Sequence, residues 1–120
     1  MGSGRVEIAF HIDDEPVDAS THLVVVTGEI DLFTAPELKA RLTAAIDEGT
    51  SRVIVDLSAV TFIDSSSLGV LIGAHKQLKL SGGGLVIVCD DRTIMNTFKI
   101  TGLDGVFEIV ASRADAVANT

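Results

Sequence analysis

The 120-residue chain has few of the residues that characterise several large classes of protein. It contains a single cysteine, Cys89, and neither tryptophan nor tyrosine. One thiol cannot form an intramolecular disulfide, which excludes a small scaffold held together by disulfides. No apolar stretch approaches the roughly 20 residues of a membrane-spanning helix, and no basic leader with an apolar core is present. With an ordinary hydrophobic content of 47%, the chain is expected to be a cytoplasmic globular protein.

Basic residues are scarce as well. Nine lysines and arginines stand against 17 aspartates and glutamates, which gives a formal net charge of −8. Nucleic acids and anionic membranes both require a basic patch, so we expect neither as a direct partner. Part of the negative charge lies in one run, Asp13, Asp14, Glu15 and Asp18. This run is interpreted as a solvated loop, with docking of a basic partner as the alternative.

The sequence contains no recognisable metal or cofactor motif. His11, His22 and His75 are scattered without metal-ligand spacing, and a zinc site would need more ligands than they and Cys89 supply. Cys89 ends the apolar run 85–88 and is interpreted as a small hydrophobic residue. The glycines at 82–84 match neither the GxxxxGK[ST] nor the GxGxxG phosphate-binding motif and are interpreted as a flexible turn. We therefore expect no metal, no cofactor and no catalytic residue.

Apolar patterns predict strands alternating with helices. Strands are predicted at residues 6–10, 23–26, 53–57, 85–88 and 106–110, and helices at about 34–48, 65–80 and 91–100 and after Ser112. Thr34 with Glu37, and Ser112 with Asp115, fit the capping-box pattern. This order predicts an α/β fold: one domain over residues 5–118, with a mostly parallel central sheet, an N-terminal edge strand and about four helices. Residues 1–4 are expected to be a cloning scar or a disordered terminus.

Residues 56–73, with the sequence DLSAVTFIDSSSLGVLIG, are the most informative segment. They bring the end of a buried strand into a polar turn at which a helix begins. The N-terminus of a helix carries unpaired N–H groups and about half a positive charge, so it accepts anions. Ser65 could hold a phosphate there or simply cap the helix. Local physics alone favours the cap, because serine and aspartate are both common in that position.

The helix that follows has two different faces when it is drawn at 3.6 residues per turn. The face predicted to contact the sheet carries Leu68, Leu71, Ile72, His75 and Leu78. The opposite face is small and nearly uncharged, and it carries Ser66, Gly69, Val70, Gly73 and Gln77. Each glycine inside a helix costs about 1 kcal/mol relative to alanine. Close approach of another protein would explain them, and so would close packing within the same domain.

Several short motifs between about Val24 and Val110 carry a family resemblance. They are GEID at 28–31, TAP at 34–36, DLS at 56–58, FIDSS at 62–66, LGVL at 68–71, ITGL at 100–103 and VF at 106–107. In this order and spacing, the chain resembles the STAS-domain anti-sigma factor antagonists.

That resemblance implies a partner-switching cycle in bacteria. The unphosphorylated antagonist binds an anti-sigma factor, which then releases its sigma factor for transcription. The anti-sigma factor is also a serine kinase that uses ATP, and it phosphorylates the serine that follows the motif aspartate. Here that serine is Ser65, preceded by Asp64, and a metal-dependent serine phosphatase removes the phosphate.

The resemblance also implies a partner-binding surface. The residues expected there are Asp64, Ser65, Ser66, Gly69, Val70, Gly73 and Gln77. Ser67 departs from the glycine that is common in the family. It could alter the fit to the kinase or add a competing phosphate acceptor.

Two other functions remain as alternatives. The chain could be a STAS accessory module of a transporter or sensing complex without phosphorylation control, in which case Ser65 would be only a cap. A hydrolase with Ser65 or Ser66 as its nucleophile is disfavoured, because no GxSxG motif is present and His75 is predicted to face inward.

Overall fold

The structure, a computed structural model, describes residues 9–118. Its strands are β1 (His11–Pro16), β2 (Thr21–Ile30), β3 (Arg52–Ile63), β4 (Gly84–Val88) and β5 (Glu108–Val110). Its α-helices are α1 (Ala35–Asp47), α2 (Ser65–Leu80), α3 (Arg92–Ile100) and α4 (Arg113–Ala118). The predicted α/β architecture is confirmed. The residues at 1–4 lie outside the described part of the chain.

The five strands form one sheet in the order β1-β2-β3-β4-β5. Strands β2 to β5 are parallel, and β1 pairs with β2 in the antiparallel direction. Right-handed crossovers between consecutive parallel neighbours place their helices on the same face of a sheet. Accordingly, buried side chains of α1, α2 and α3 share the main hydrophobic core, whereas α4 covers the opposite face.

Strand β3 shows how the two faces are divided. Val53 and Val55 belong to the main core, and Ile54 between them belongs to the smaller cluster with Ala116 of α4. Asp56 also points to the α4 face, where it pairs with Arg113. Burial alone would raise the pKa of Asp56, but hydrogen bonds from Ser58 and Arg113 outweigh that effect and lower it.

The N-terminal edge strand lies later in the chain than predicted. Of the predicted strand at 6–10, residues 6–8 lie outside the described residues, and residues 9–10 are not in a strand. The acidic run at 13–15, interpreted as a loop, instead lies within β1. An edge strand needs few buried residues: Ile12 is buried in the core, while Asp14 pairs with Arg41 and His22.

One of the two predicted capping boxes is wrong. Thr34 occupies the N-cap position of α1, but its side chain makes no cap hydrogen bond to the helix. Its Oγ1 instead accepts from the Asp31 N–H and donates to the Glu29 carbonyl. At α4, the Ser112 hydroxyl does accept from the Asp115 N–H.

The last strand begins at 108 rather than 106, because a short 3₁₀ turn (Leu103–Gly105) precedes it.

Gly82 and Gly83 form a turn that is fixed rather than flexible, and Gly84 begins β4. Gly82 has a φ of +82°, and the N–H groups of Gly82 and Gly83 donate to the carbonyls of Lys79 and Leu78. This is the Schellman arrangement, which satisfies the last carbonyls of α2. A Cβ on Gly83 would lie 1.5 Å from the Ser51 carbonyl oxygen, so only glycine fits.

Candidate functional site

The candidate site begins where β3 ends and α2 starts. Asp64 is the N-cap of α2, and its Oδ1 accepts the Ser67 N–H at 3.1 Å. Ser65 is exposed, and its hydroxyl makes no hydrogen bond to any residue between 9 and 118 that the structure describes. The interpretation of Ser65 as the cap is therefore wrong, because the aspartate one position earlier takes that role. Ser65 is left with a free hydroxyl at the positive end of the helix.

Ser67 has the opposite environment. Its side chain is fully buried, and its Oγ donates to the Ile30 carbonyl at 2.7 Å and lies 3.0 Å from Asp64 Oδ1. A kinase cannot reach a hydroxyl in that position without opening the junction between β2 and α2. The suggestion that Ser67 is a competing phosphate acceptor is therefore contradicted. Ser66, between the two, is half-buried.

The outer face of α2 carries two glycines with open space in front of them. Gly69 and Gly73 are exposed, and a Cβ built on either would meet nothing within 4 Å. Packing inside this domain therefore does not explain them among the described residues. Val70, on the same face, is half-buried and packs against the main core.

A groove of about 570 Å³ runs between α1 and α2. Five of the expected partner-binding residues line it, namely Ser66, Gly69, Val70, Gly73 and Gln77. Asp64 and Ser65 do not line the groove but lie at the start of α2. The α1 wall adds Lys39, Leu42 and Thr43, and none of these was expected at a binding surface. Periodicity puts Lys39 and Thr43 on the polar side of α1, but it does not say which helix lies beside them.

The inner face of α2 packs as predicted. Leu68, Leu71 and Leu78 are buried, and His75 is half-buried with its ring edge-on to Phe107 at 5.3 Å. Nδ1 of His75 accepts the Leu85 N–H at 3.3 Å, which requires the neutral ring. Burial, with a smaller effect from the Lys79 charge, lowers the pKa of His75 and favours that neutral form.

The remaining candidate reactive groups are engaged elsewhere. His11 contacts Asp13, and His22 contacts Asp14. Cys89 is buried in the main core, and burial raises its thiol pKa, so its interpretation as a small hydrophobic residue is confirmed. Within residues 9–118, no group of three His, Cys, Asp or Glu side chains is arranged to hold a metal ion. No helix in that range is long and apolar enough to cross a membrane.

Comparison with known proteins identifies the family of this fold. A family model described as the STAS domain matches residues 15–116. The chain belongs to the STAS domain family.

Relatives of this STAS domain include the anti-sigma-B factor antagonist of Bacillus subtilis (strain 168). The two are 34% identical over 94 residues, which cover 78% of this chain and 85% of the relative. The anti-sigma-B factor antagonist of Listeria monocytogenes (serovar 1/2a) is 38% identical over 87 residues, which cover 72% of this chain and 75% of the relative.

The solved structures agree with this assignment. The crystal structure of an anti-sigma factor antagonist from Mycobacterium paratuberculosis matches this STAS domain with a TM-score of 0.80 and 28% sequence identity. The match covers 94% of this chain and 93% of that one. The sheet order and the helix placement described above are therefore those of a STAS domain.

Proposed function

We propose that this STAS domain is an anti-sigma factor antagonist that Ser65 phosphorylation switches off. In its unphosphorylated form it binds an anti-sigma factor with serine kinase activity through the outer face of α2, and that partner releases its sigma factor. The names of the relatives support the antagonist role. The observation that carries the switch is the free, exposed hydroxyl of Ser65 at the start of α2, next to a smooth helix face.

The fold itself can accommodate a phosphate on Ser65. Phosphorylation adds about −1.5 to −2 charges at neutral pH. At the first position of α2, that charge meets the positive end of the helix dipole, which favours anions. Ser65 is exposed, so no buried contact of this domain has to break. The phosphorylated chain should therefore remain folded.

A docked partner has no such tolerance. An uncompensated charge buried in an interface costs about 3–5 kcal/mol. At about 1.4 kcal/mol per factor of ten, even the lower figure weakens binding more than a hundredfold. Tolerance by the fold and intolerance by the interface together make Ser65 a switch. A metal-dependent serine phosphatase would restore binding, and the cycle would run in the cytoplasm, where ATP and sigma factors are present.

The test is phosphorylation by the anti-sigma factors with serine kinase activity from the source bacterium. Each purified kinase is incubated with the chain and ATP, and mass spectrometry locates the phosphate. We expect it on Ser65. Ser66→Ala, the control for the position of the phosphate, should still carry its phosphate on Ser65, because this change leaves the exposed Ser65 hydroxyl in place. Phosphate on Ser66 in the wild-type chain, or full modification of Ser65→Ala, would contradict the assignment.

Binding to the identified kinase provides the second readout. Ser65→Ala should stay bound in the presence of ATP, and Ser65→Glu should bind at least about a hundredfold more weakly, with both variants folded. A stable complex with another partner that ATP does not alter would support the accessory-module alternative instead. No catalytic activity of the chain itself is proposed.

A further inference from the structure

The loop between β2 and α1 exposes two large apolar side chains. Leu32 is 65% exposed and Phe33 is 87% exposed. Phe62, 47% exposed, lies on β3 opposite Glu29, close to the point where this loop leaves the sheet. Single exposed apolar residues are ordinary, but adjacent ones that form a patch mark interaction sites. The groove between α1 and α2 does not include these residues.

The loop that carries Leu32 and Phe33 is closed by its own hydrogen bonds. Oδ1 of Asp31 accepts the N–H groups of Phe33 at 2.9 Å and Thr34 at 3.1 Å. Oγ1 of Thr34 accepts the Asp31 N–H at 2.8 Å and donates to the Glu29 carbonyl at 3.0 Å. These bonds hold the backbone under the two apolar side chains in one conformation. A partner that binds them therefore pays little entropy to order the loop.

This loop is joined to the start of α2. The Ile30 carbonyl accepts both the Asp64 N–H at 3.3 Å and the Ser67 hydroxyl at 2.7 Å. The residue that follows Ile30 begins the loop, and the residue that follows Asp64 is Ser65. The apolar pair and the phosphorylation site are therefore on one rigid block at the carboxyl ends of β2 and β3.

The surroundings of the pair are acidic. Glu29 and Glu37 are exposed, and neither forms an ion pair with another residue in the range 9–118. The Asp31 and Asp64 carboxylates lie in the same block. A partner that covers the pair must bring cations to this rim, because desolvated carboxylates without counter-charges are costly.

We infer that Leu32 and Phe33 are an apolar anchor that inserts into an apolar pocket with a basic rim on the anti-sigma factor. The inference rests on the proposed function and extends the interface from the outer face of α2 to the β2–α1 loop. Aromatic anchors of this kind carry a large share of the binding energy in protein interfaces. The same partner would then contact both the apolar anchor and Ser65, the phosphate acceptor.

The test compares Phe33→Ala with a matched control, Leu80→Ala. Leu80 is 90% exposed and lies at the other end of the 16-residue helix α2, about 22 Å from Ser65 at 1.5 Å per residue. Binding is measured by calorimetry against the purified kinase that phosphorylates this chain. Phe33→Ala should lose at least about thirtyfold in affinity, the loss typical of an aromatic anchor. Leu80→Ala should bind as wild type does.

The possible results separate this inference from the proposed function. Wild-type affinity in Phe33→Ala would overturn the anchor and leave the proposed function standing, whereas a wild-type chain that no such kinase binds would overturn both. A lower melting temperature for Phe33→Ala would mean that Phe33 packs on its own chain and would overturn the anchor. The anchor would also be overturned if sedimentation showed that the wild-type chain is a dimer and that Phe33→Ala is a monomer. Glu29→Lys should weaken binding severalfold, and unchanged binding would overturn the basic rim.

Discussion

The two faces of α2 are built by different rules. On the inner face, Leu71 and Leu78 are completely buried, and His75 is held by the Leu85 N–H. On the outer face, a Cβ added at Gly69 or Gly73 would meet nothing within 4 Å. Each of these glycines weakens the helix by about 1 kcal/mol relative to alanine. The inner face stabilises the domain through its buried side chains. The outer face is less stabilising, because its two glycines leave the helix surface without side chains at those positions.

The largest effect on stability is expected on the inner face. Leu71→Ala removes a fully buried side chain from the main core, so the free energy of unfolding should fall by about 2–5 kcal/mol. Chemical denaturation followed by circular dichroism measures this fall. Lys76→Ala, an exposed position on the same helix, is the control and should change little. A loss below about 1 kcal/mol for Leu71→Ala would mean that this face is not the packed one.

The outer face should respond in binding rather than in folding. Val70→Lys places a charge in the middle of the proposed interface and should weaken binding to the anti-sigma factor about a hundredfold, since an unpaired buried charge costs about 3 kcal/mol or more. Because Val70 is only half-buried, the lysine ammonium can reach water in the free domain, and the melting temperature should change little. Unchanged affinity in a variant with a wild-type melting curve would rule out this face as the interface.

The serines at 65 and 67 repeat the comparison on a smaller scale. Ser67→Ala removes the buried hydrogen bond to the Ile30 carbonyl, so stability should fall by about 1 kcal/mol. Ser65→Ala removes an exposed hydroxyl and should leave the denaturation midpoint where it is in wild type. Equal midpoints for the two variants would argue against the Ser67 bond as a structural link.

The smallest expected change in the free energy of unfolding is a gain in stability rather than a loss. Gly73→Ala adds a methyl group where nothing lies within 4 Å, so it should stabilise the domain by about 0.5–1 kcal/mol. The same methyl group should weaken binding to the anti-sigma factor if the partner approaches the helix closely. A variant that gains stability and keeps full affinity would show that the partner does not need the glycine.

Periodicity was enough to predict most of the architecture. Runs of β-branched residues located β2, β3 and β4, and the 3.6-residue repeat put Leu68, Leu71 and Leu78 on the buried face of α2. Val70, predicted at the middle of the outer face, is half-buried and packs against the main core. Strand β1 was misplaced because an edge strand with Ile12 as its buried residue shows little alternation. Its carboxylates therefore resemble those of a loop.

The details of the site depended on distances that a sequence does not contain. Asp64 and Ser65 are both good caps, and a shift of one residue decides which of them has a free side chain. The buried bond from Ser67 reaches Ile30, 37 positions earlier in the chain. The α1 wall of the groove and the exposure of Phe33 likewise follow from how separate elements pack together. Local pattern cannot report such contacts.

The strand order also affects how the chain reaches this fold. Each parallel pair, β2 with β3, β3 with β4 and β4 with β5, joins strands that are consecutive along the chain. Folding is faster when contacting residues are close in sequence, because shorter loops cost less entropy to close. Within residues 9–118, no parallel strand pairs with a strand that is distant along the chain. As the chain leaves the ribosome, each new parallel strand can dock on a neighbour that has already been made.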